Sequence, residues 1–276
     1  MAELFCSRER GVCTDLALQR MGLNYADLYL IHHPVALKPE GHLSKASMDD
    51  PESLSGQGCA ADENGHFVPD LEHCPAAVAA SNGGQGSILP TWNVMKALVR
   101  GGKPRAIGVS NFDIEHVQEI LGSQTGSDDE TPLSCNQIEA HPWYPNERLV
   151  DFQHEHKILT MAYRPFASLN YEIRDGVVTA EPFAPYGVPL LRDETVAIVA
   201  KRNNMTPAQV LLSWAVQRST LPIFRSSSKV RQAENLVLQG LPREDVDDLN
   251  SMKLEGVTGQ IAPRMLFPYI RDYDCE

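Results

Sequence analysis

Five short apolar runs recur along the chain: DLYLI (27–31), AIGV (106–109), NQIE (136–139), ILTMA (158–162) and LPIF (221–224). None alternates cleanly between polar and apolar, as a strand with one wet face would. They read as strands buried on both faces, the condition of a parallel sheet covered by helices. Parallel neighbours need a long crossover between them, usually a helix, and helix signals lie where such crossovers belong. Asp113 is an N-cap ahead of IEHVQEIL, whose Ile114, Val117, Ile120 and Leu121 share one stripe. Thr206 followed by Pro207 opens AQVLLSWAVQ, Asp193 opens ETVAIVAKR, and Gly22 closes TDLALQRM. The pattern is that of βα units, and 276 residues suit one α/β barrel or two smaller domains.

Composition narrows the class. At 42% hydrophobic and 22% charged the chain resembles an ordinary globular protein rather than a disordered or collagen-like one. No apolar run approaches the ~18 residues of a spanning helix, and MAELFCSRERGVC lacks the apolar centre of a signal peptide. A cytoplasmic protein is expected. The net charge of -12 argues against nucleic-acid or anionic-membrane partners, so an anionic ligand would need a local basic pocket. Six cysteines without a CxxC pair suggest neither a disulfide framework nor a metal site.

One stretch breaks the alternation. Residues 37–89 are rich in Gly, Ser, Pro, Asp and Glu with little periodicity. Compact domains seldom carry so long a loop unless it is functional or disordered. It reads as an insert or lid, at least half of it expected to be disordered.

Chemistry gathers after the strands. The segment PIFRSSSKVRQAENL (222–236) places Arg225, Ser226, Ser227, Ser228, Lys229 and Arg231 between a strand and a helix. Hydroxyl donors and guanidinium forks in one loop suit a phosphate; an exposed serine turn with surface cations fits the same composition. His32 follows the first strand on the side where open sheets and barrels place ligands, although a structural histidine reads the same way. Ser110, Asn111, Gln137 and Tyr163 also stand at strand ends. An amide-reading trio with an aromatic face suits a planar ring bearing a carboxamide.

These segments resemble the aldo-keto reductases, barrel enzymes that use NADPH to reduce aldehydes and ketones. The resemblance rests on DLYLIHHP (27–34), GGKPRAIGVSNF (101–112), NQIEAHPWYP (136–145), AYRPFASL (162–169), MTPAQVLLSWAVQR (205–218) and FRSSSKVRQAEN (224–235), in family order. It implies a (β/α)8 barrel of the TIM type, with NADP(H) as cofactor and a small-molecule carbonyl as substrate. By position, His32 resembles the catalytic histidine that orients the substrate carbonyl. Ser110, Asn111 and Gln137 resemble the holders of the nicotinamide carboxamide, and Tyr163 the ring stacked on it. Arg164, Phe166 and Ser168 fall where the family wraps the pyrophosphate. Arg225, Ser226, Ser227, Ser228 and Arg231 fall around the adenosine 2′-phosphate, with Glu234 and Asn235 near the adenine. Arg225 replaces a usual lysine, Arg164 a usual serine, and His33 a frequent aromatic residue.

The family's catalytic tyrosine, lysine and aspartate come from its first three strands, and no segment upstream of DLYLIH resembles them. The expectation is therefore a single partial barrel over residues 1–276, lacking the first three strands and open to self-association through exposed strand edges. Three accounts fit: a truncated reductase, an inactive NADPH-binding or interaction protein, or a repurposed catalyst in which His32 or His33 supplies the proton. Substrate choice would fall to loops, here residues 37–89 and 256–276.

Overall fold

The computed structural model describes residues 10–34, 87–124, 131–167, 173–174, 177–178 and 189–253. Expectations that fall on residues 35–86, on Ser168 and on 254–276 lie outside them. The chain divides into two compact units between Asn136 and Gln137.

The first unit begins with helix α1 (Arg10–Met21), which Gly22 ends in the left-handed region at φ +66°. There Gly22 N–H donates to the Gln19 carbonyl and Leu23 N–H to that of Leu18, which closes the helix where the sequence places its stop. Strand β1 (Ala26–Ile31) follows, then α2 (Leu89–Arg100), β2 (Pro104–Ser110), α3 (Ile114–Ser123) and the first residues of β3 (Leu133–Glu139). β1 and β2 pair in parallel, Leu28 opposite Ala106 and Ile31 opposite Val109, and the strand order is β1-β2-β3. The Asp113 carboxylate caps α3 by accepting from His116 N–H. Trp92, Met95, Ile107, Val109, Phe112, Val117 and Ile120 are fully buried. Each such side chain contributes about 1.5–3 kcal/mol relative to exposure. α2 packs on both β2 and α3.

The second unit holds the rest of β3, α4 (Glu147–Glu155), β4 (Leu159–Tyr163) and a short antiparallel pair, β5 (Ile173–Arg174) with β6 (Val177–Val178). Helices α5 (Glu194–Arg202) and α6 (Pro207–Gln217), strand β7 (Thr220–Ile223) and helices α7 (Lys229–Glu234) and α8 (Arg243–Asn250) complete it. β4 and β7 are parallel, Thr160 opposite Thr220 and Tyr163 opposite Ile223, in the order β3-β4-β7. Pro222 lacks a ladder donor, which a strand at the end of the described order tolerates. The core joins Leu190, Val196, Val199, Val210, Leu211, Trp214 and Leu249. α6 starts with a full capping box, Thr206 accepting from Gln209 N–H while the Gln209 side chain accepts from Thr206 N–H.

All five strands expected from the apolar runs are present. β3 begins three residues before NQIE, because Leu133 and Cys135 are buried inward-facing positions separated by a half-buried Ser134.

Candidate functional site

On the first unit the polar residues after β1 and β2 form one hydrogen-bonded knot. Asn111 leaves β2 in the left-handed region at φ 61°, a conformation asparagine tolerates better than most residues. The turn folds its side chain back, and the Asn111 amide nitrogen reaches three acceptors. These are the His32 carbonyl at 2.9 Å, His33 Nδ1 at 3.1 Å and Ser110 Oγ at 3.1 Å. Ser110 and Asn111 are buried, and His32 and His33 are half-buried with ring centroids 4.1 Å apart. Burial, and after it the neighbouring His32, push the His33 imidazole pKa down to about 2. His33 is thereby held neutral, which suits its Nδ1 to accept from the Asn111 amide. The loop is anchored from β3, where the fully buried Asn136 side chain donates to the Phe112 carbonyl at 2.8 Å and accepts from Phe112 N–H at 3.4 Å.

On the second unit Gln137 lies buried in β3, and Tyr163 ends β4 half-buried. Burial foremost, then the Glu139 carboxylate, raise the Tyr163 phenol above its ordinary range, with Arg164 opposing. Tyr163 is thus a neutral ring, suited to stacking. Arg164 and Ala167 both take positive φ, 53° and 47°, and Ala167 N–H donates to the Arg164 carbonyl across the turn. Arg164 Nη1 stands 3.8 Å from Glu139 Oε2, a loose pair to a carboxylate that also meets His141 Nε2 at 3.2 Å. The half-buried Phe166 faces Phe224 at 6.1 Å between centroids.

The loop after β7 is organised by its serines. Ser228 N–H donates to Ser226 Oγ at 3.3 Å, Ser228 Oγ accepts from Arg231 N–H at 3.3 Å, and the Gln232 side chain donates to the Ser226 carbonyl at 2.6 Å. Ser226 and Ser228 are half-buried, Asn235 is buried, and Arg225, Ser227, Lys229, Arg231 and Glu234 are exposed. Among the described residues none of Arg225, Lys229 and Arg231 is in an ion pair, although the chain carries an excess of twelve negative charges. Cations left without counter-ions on a hydroxyl-rich loop fit an anionic group such as a phosphate.

Known families supply the frame for these sites. The family model described as "Aldo/keto reductase family" matches residues 13–253. The chain belongs to the aldo/keto reductase family. It is 31% identical to the glycerol 2-dehydrogenase (NADP(+)) of Saccharomyces cerevisiae over 255 residues, 92% of this chain and 69% of that protein. It is 29% identical to an aldehyde reductase of the same yeast over 245 residues, 89% of this chain and 65% of that protein. The aldose reductase structure from Schistosoma japonicum superposes with a TM-score of 0.65 at 26% identity, covering 94% of this chain and 70% of that one. The chain thus spans about two thirds of the length of the curated relatives it matches. The α/β fold is of the (β/α)8 type.

Within this aldo/keto reductase the sequence reading missed three buried polar residues. Asn136, Glu139 and Asn146 lie inside or just after β3, and the Asn146 side chain donates to the Glu139 carbonyl at 2.7 Å. Part of their signal was available: polar residues inside a run read as a strand buried on both faces need partners, which the Phe112 backbone supplies for Asn136 and the His141 and Arg164 side chains for Glu139.

Proposed function

We propose that this aldo/keto reductase binds NADPH and reduces an aldehyde or ketone in the cytoplasm, with neither nucleic acid nor membrane as partner. The observation that carries the reading is the group of exposed cations Arg225, Lys229 and Arg231 on the serine loop after β7, none of them in an ion pair among the described residues. Family membership and the yeast reductase and dehydrogenase relatives support it.

Arg225, Ser226, Ser227, Ser228 and Arg231 would hold the 2′-phosphate, with Glu234 and Asn235 toward the adenine. Arg164, Phe166 and Ser168 would take the pyrophosphate, and Ser110, Asn111 and Gln137 the carboxamide. Bound there, the cofactor supplies a hydride for the carbonyl carbon. The chain's own part is orientation: Tyr163 offers a neutral ring face, and His32 directs the carbonyl oxygen.

Fluorescence titration with NADPH and NADH tests the cofactor. A charge-assisted hydrogen bond contributes about 1.5–3 kcal/mol, so Arg225→Ala with Arg231→Ala should weaken NADPH by at least tenfold and NADH little. Equal affinity of the unaltered protein for both nucleotides would refute the 2′-phosphate assignment. NADPH consumption across an aldehyde panel then separates reduction from binding alone.

A further inference from the structure

Gln209 joins the start of α6 to the end of α7 through one amide. Its Oε1 accepts from Thr206 N–H at 2.9 Å, which closes the capping box. Its Nε2 donates to the Glu234 carbonyl at 3.0 Å and to the Val237 carbonyl at 2.9 Å, so both amide hydrogens are used. Turning the amide over would set its oxygen against two carbonyl oxygens and its NH2 against an N–H. Its orientation is therefore fixed, and α6 is itself fixed by Val210, Leu211 and Trp214 in the core of the second unit. The other end of the link has little packing of its own. No residue of α7 is buried, and Leu236 and Val237 are exposed, so the tie between this turn and α6 falls to the two bonds from Gln209.

The two carbonyls bracket Asn235. That residue is 6% exposed, yet its side-chain amide has no partner among the described residues. A buried amide costs stability unless it is hydrogen-bonded, so its partner is solvent or a ligand. We propose that Gln209 is a positioning residue for base recognition: by bonding the carbonyls on either side of Asn235 it holds that buried amide in place to read the amino-bearing edge of a purine. The role rests on the reading that Glu234 and Asn235 face the adenine, and it adds what holds them there. An asparagine amide pairs with adenine by donating to N7 and accepting from the 6-amino group. Hypoxanthine presents an oxygen in place of that amino group. A fixed amide tells the two bases apart, and one free to turn over or withdraw does not.

The test compares NADPH with its hypoxanthine analogue, the same dinucleotide with oxygen in place of the 6-amino group, by fluorescence titration of the full chain. The unaltered protein should bind NADPH about tenfold more tightly, the scale of one hydrogen bond left unmade. In Gln209→Glu the cap on Thr206 survives, because a carboxylate oxygen still accepts, but both donors are gone. The preference for NADPH should then shrink to within about threefold. Gln209→Met removes the donors without adding charge and should lose the preference to the same extent; it decides the matter if Gln209→Glu does not fold. A structural role alone would weaken both nucleotides equally and leave their ratio as it is in the unaltered protein, and that result overturns the proposal. An unaltered protein that binds both nucleotides equally, or neither, refutes the adenine reading itself, and the proposal falls with it.

Discussion

At the residue scale, His33 ties the site to stability. Its pKa lies near 2 in the folded chain against 6.5 for the free side chain. Between those values the unfolded state binds the proton and the folded state does not, so stability rises with pH and falls as acid is added below about 6.5. The slope from one such group is about 1.4 kcal/mol per pH unit. That slope is half-developed at pH 6.5, so from pH 6.5 to pH 5 the protein should lose about 1.6 kcal/mol by this route. Urea unfolding of the unaltered chain and of His33→Phe at both pH values measures it, and identical pH slopes for the two would refute the assignment. That acceptor role was not legible in the sequence. HHP shows two histidines after a strand, but the contact of the His33 ring with the Asn111 amide depends on the left-handed turn at Asn111, 78 residues away. The sequence did place His32, Ser110 and Asn111 correctly at strand ends, because strand ends follow from where apolar runs stop.

At the scale of elements, β1, β2 and β3 lie closer together than side chains would allow at one point. A Cβ on Gly108 would stand 2.6 Å from both the carbonyl oxygen and Sγ of Cys135, and 2.9 Å from Cδ2 of Leu30. Leu30 can shift a little; a strand carbonyl held in a ladder cannot. Gly108→Ala should therefore cost about 1–3 kcal/mol, the range of overpacked cores, read as a lower urea midpoint with an unchanged slope. Unchanged stability would mean that β2 and β3 slide apart freely. The Cys135 thiol in that contact is 1% exposed, and burial pushes its pKa up to about 12, so it belongs to packing and not to redox chemistry. Elements with local signals were readable: Asp113, Asp193 and Thr206 each cap the helix that their sequence position announces. The Asn136 clamp on Phe112 was not, since its two partners are 24 residues away and an asparagine within a short apolar run gives no hint of direction.

For the whole molecule, charge sets two opposing fields on any phosphate-bearing ligand. The chain as a whole carries -12, which repels an anion from afar, whereas the loop 225–231 offers cations at close range. Screening separates the two by distance. The Debye length is about 30 Å at 0.01 M salt, comparable to a protein's width, and about 8 Å at 0.15 M, comparable to a side chain's reach. Added salt should therefore remove the distant repulsion before it removes the local attraction. The expected result is a nucleotide association rate that rises or stays level from 0.01 to 0.15 M, while dissociation quickens. A site steered by a broad basic face would do the reverse and lose association rate steeply. Stopped-flow fluorescence with NADPH reads both constants. Removing Arg225 and Arg231 together should make the rise in association rate steeper, because only Lys229 of the loop's cations then offsets the repulsive field. A falling association rate in the unaltered protein would show that attraction to cations, and not repulsion by the net charge, governs the ligand's approach.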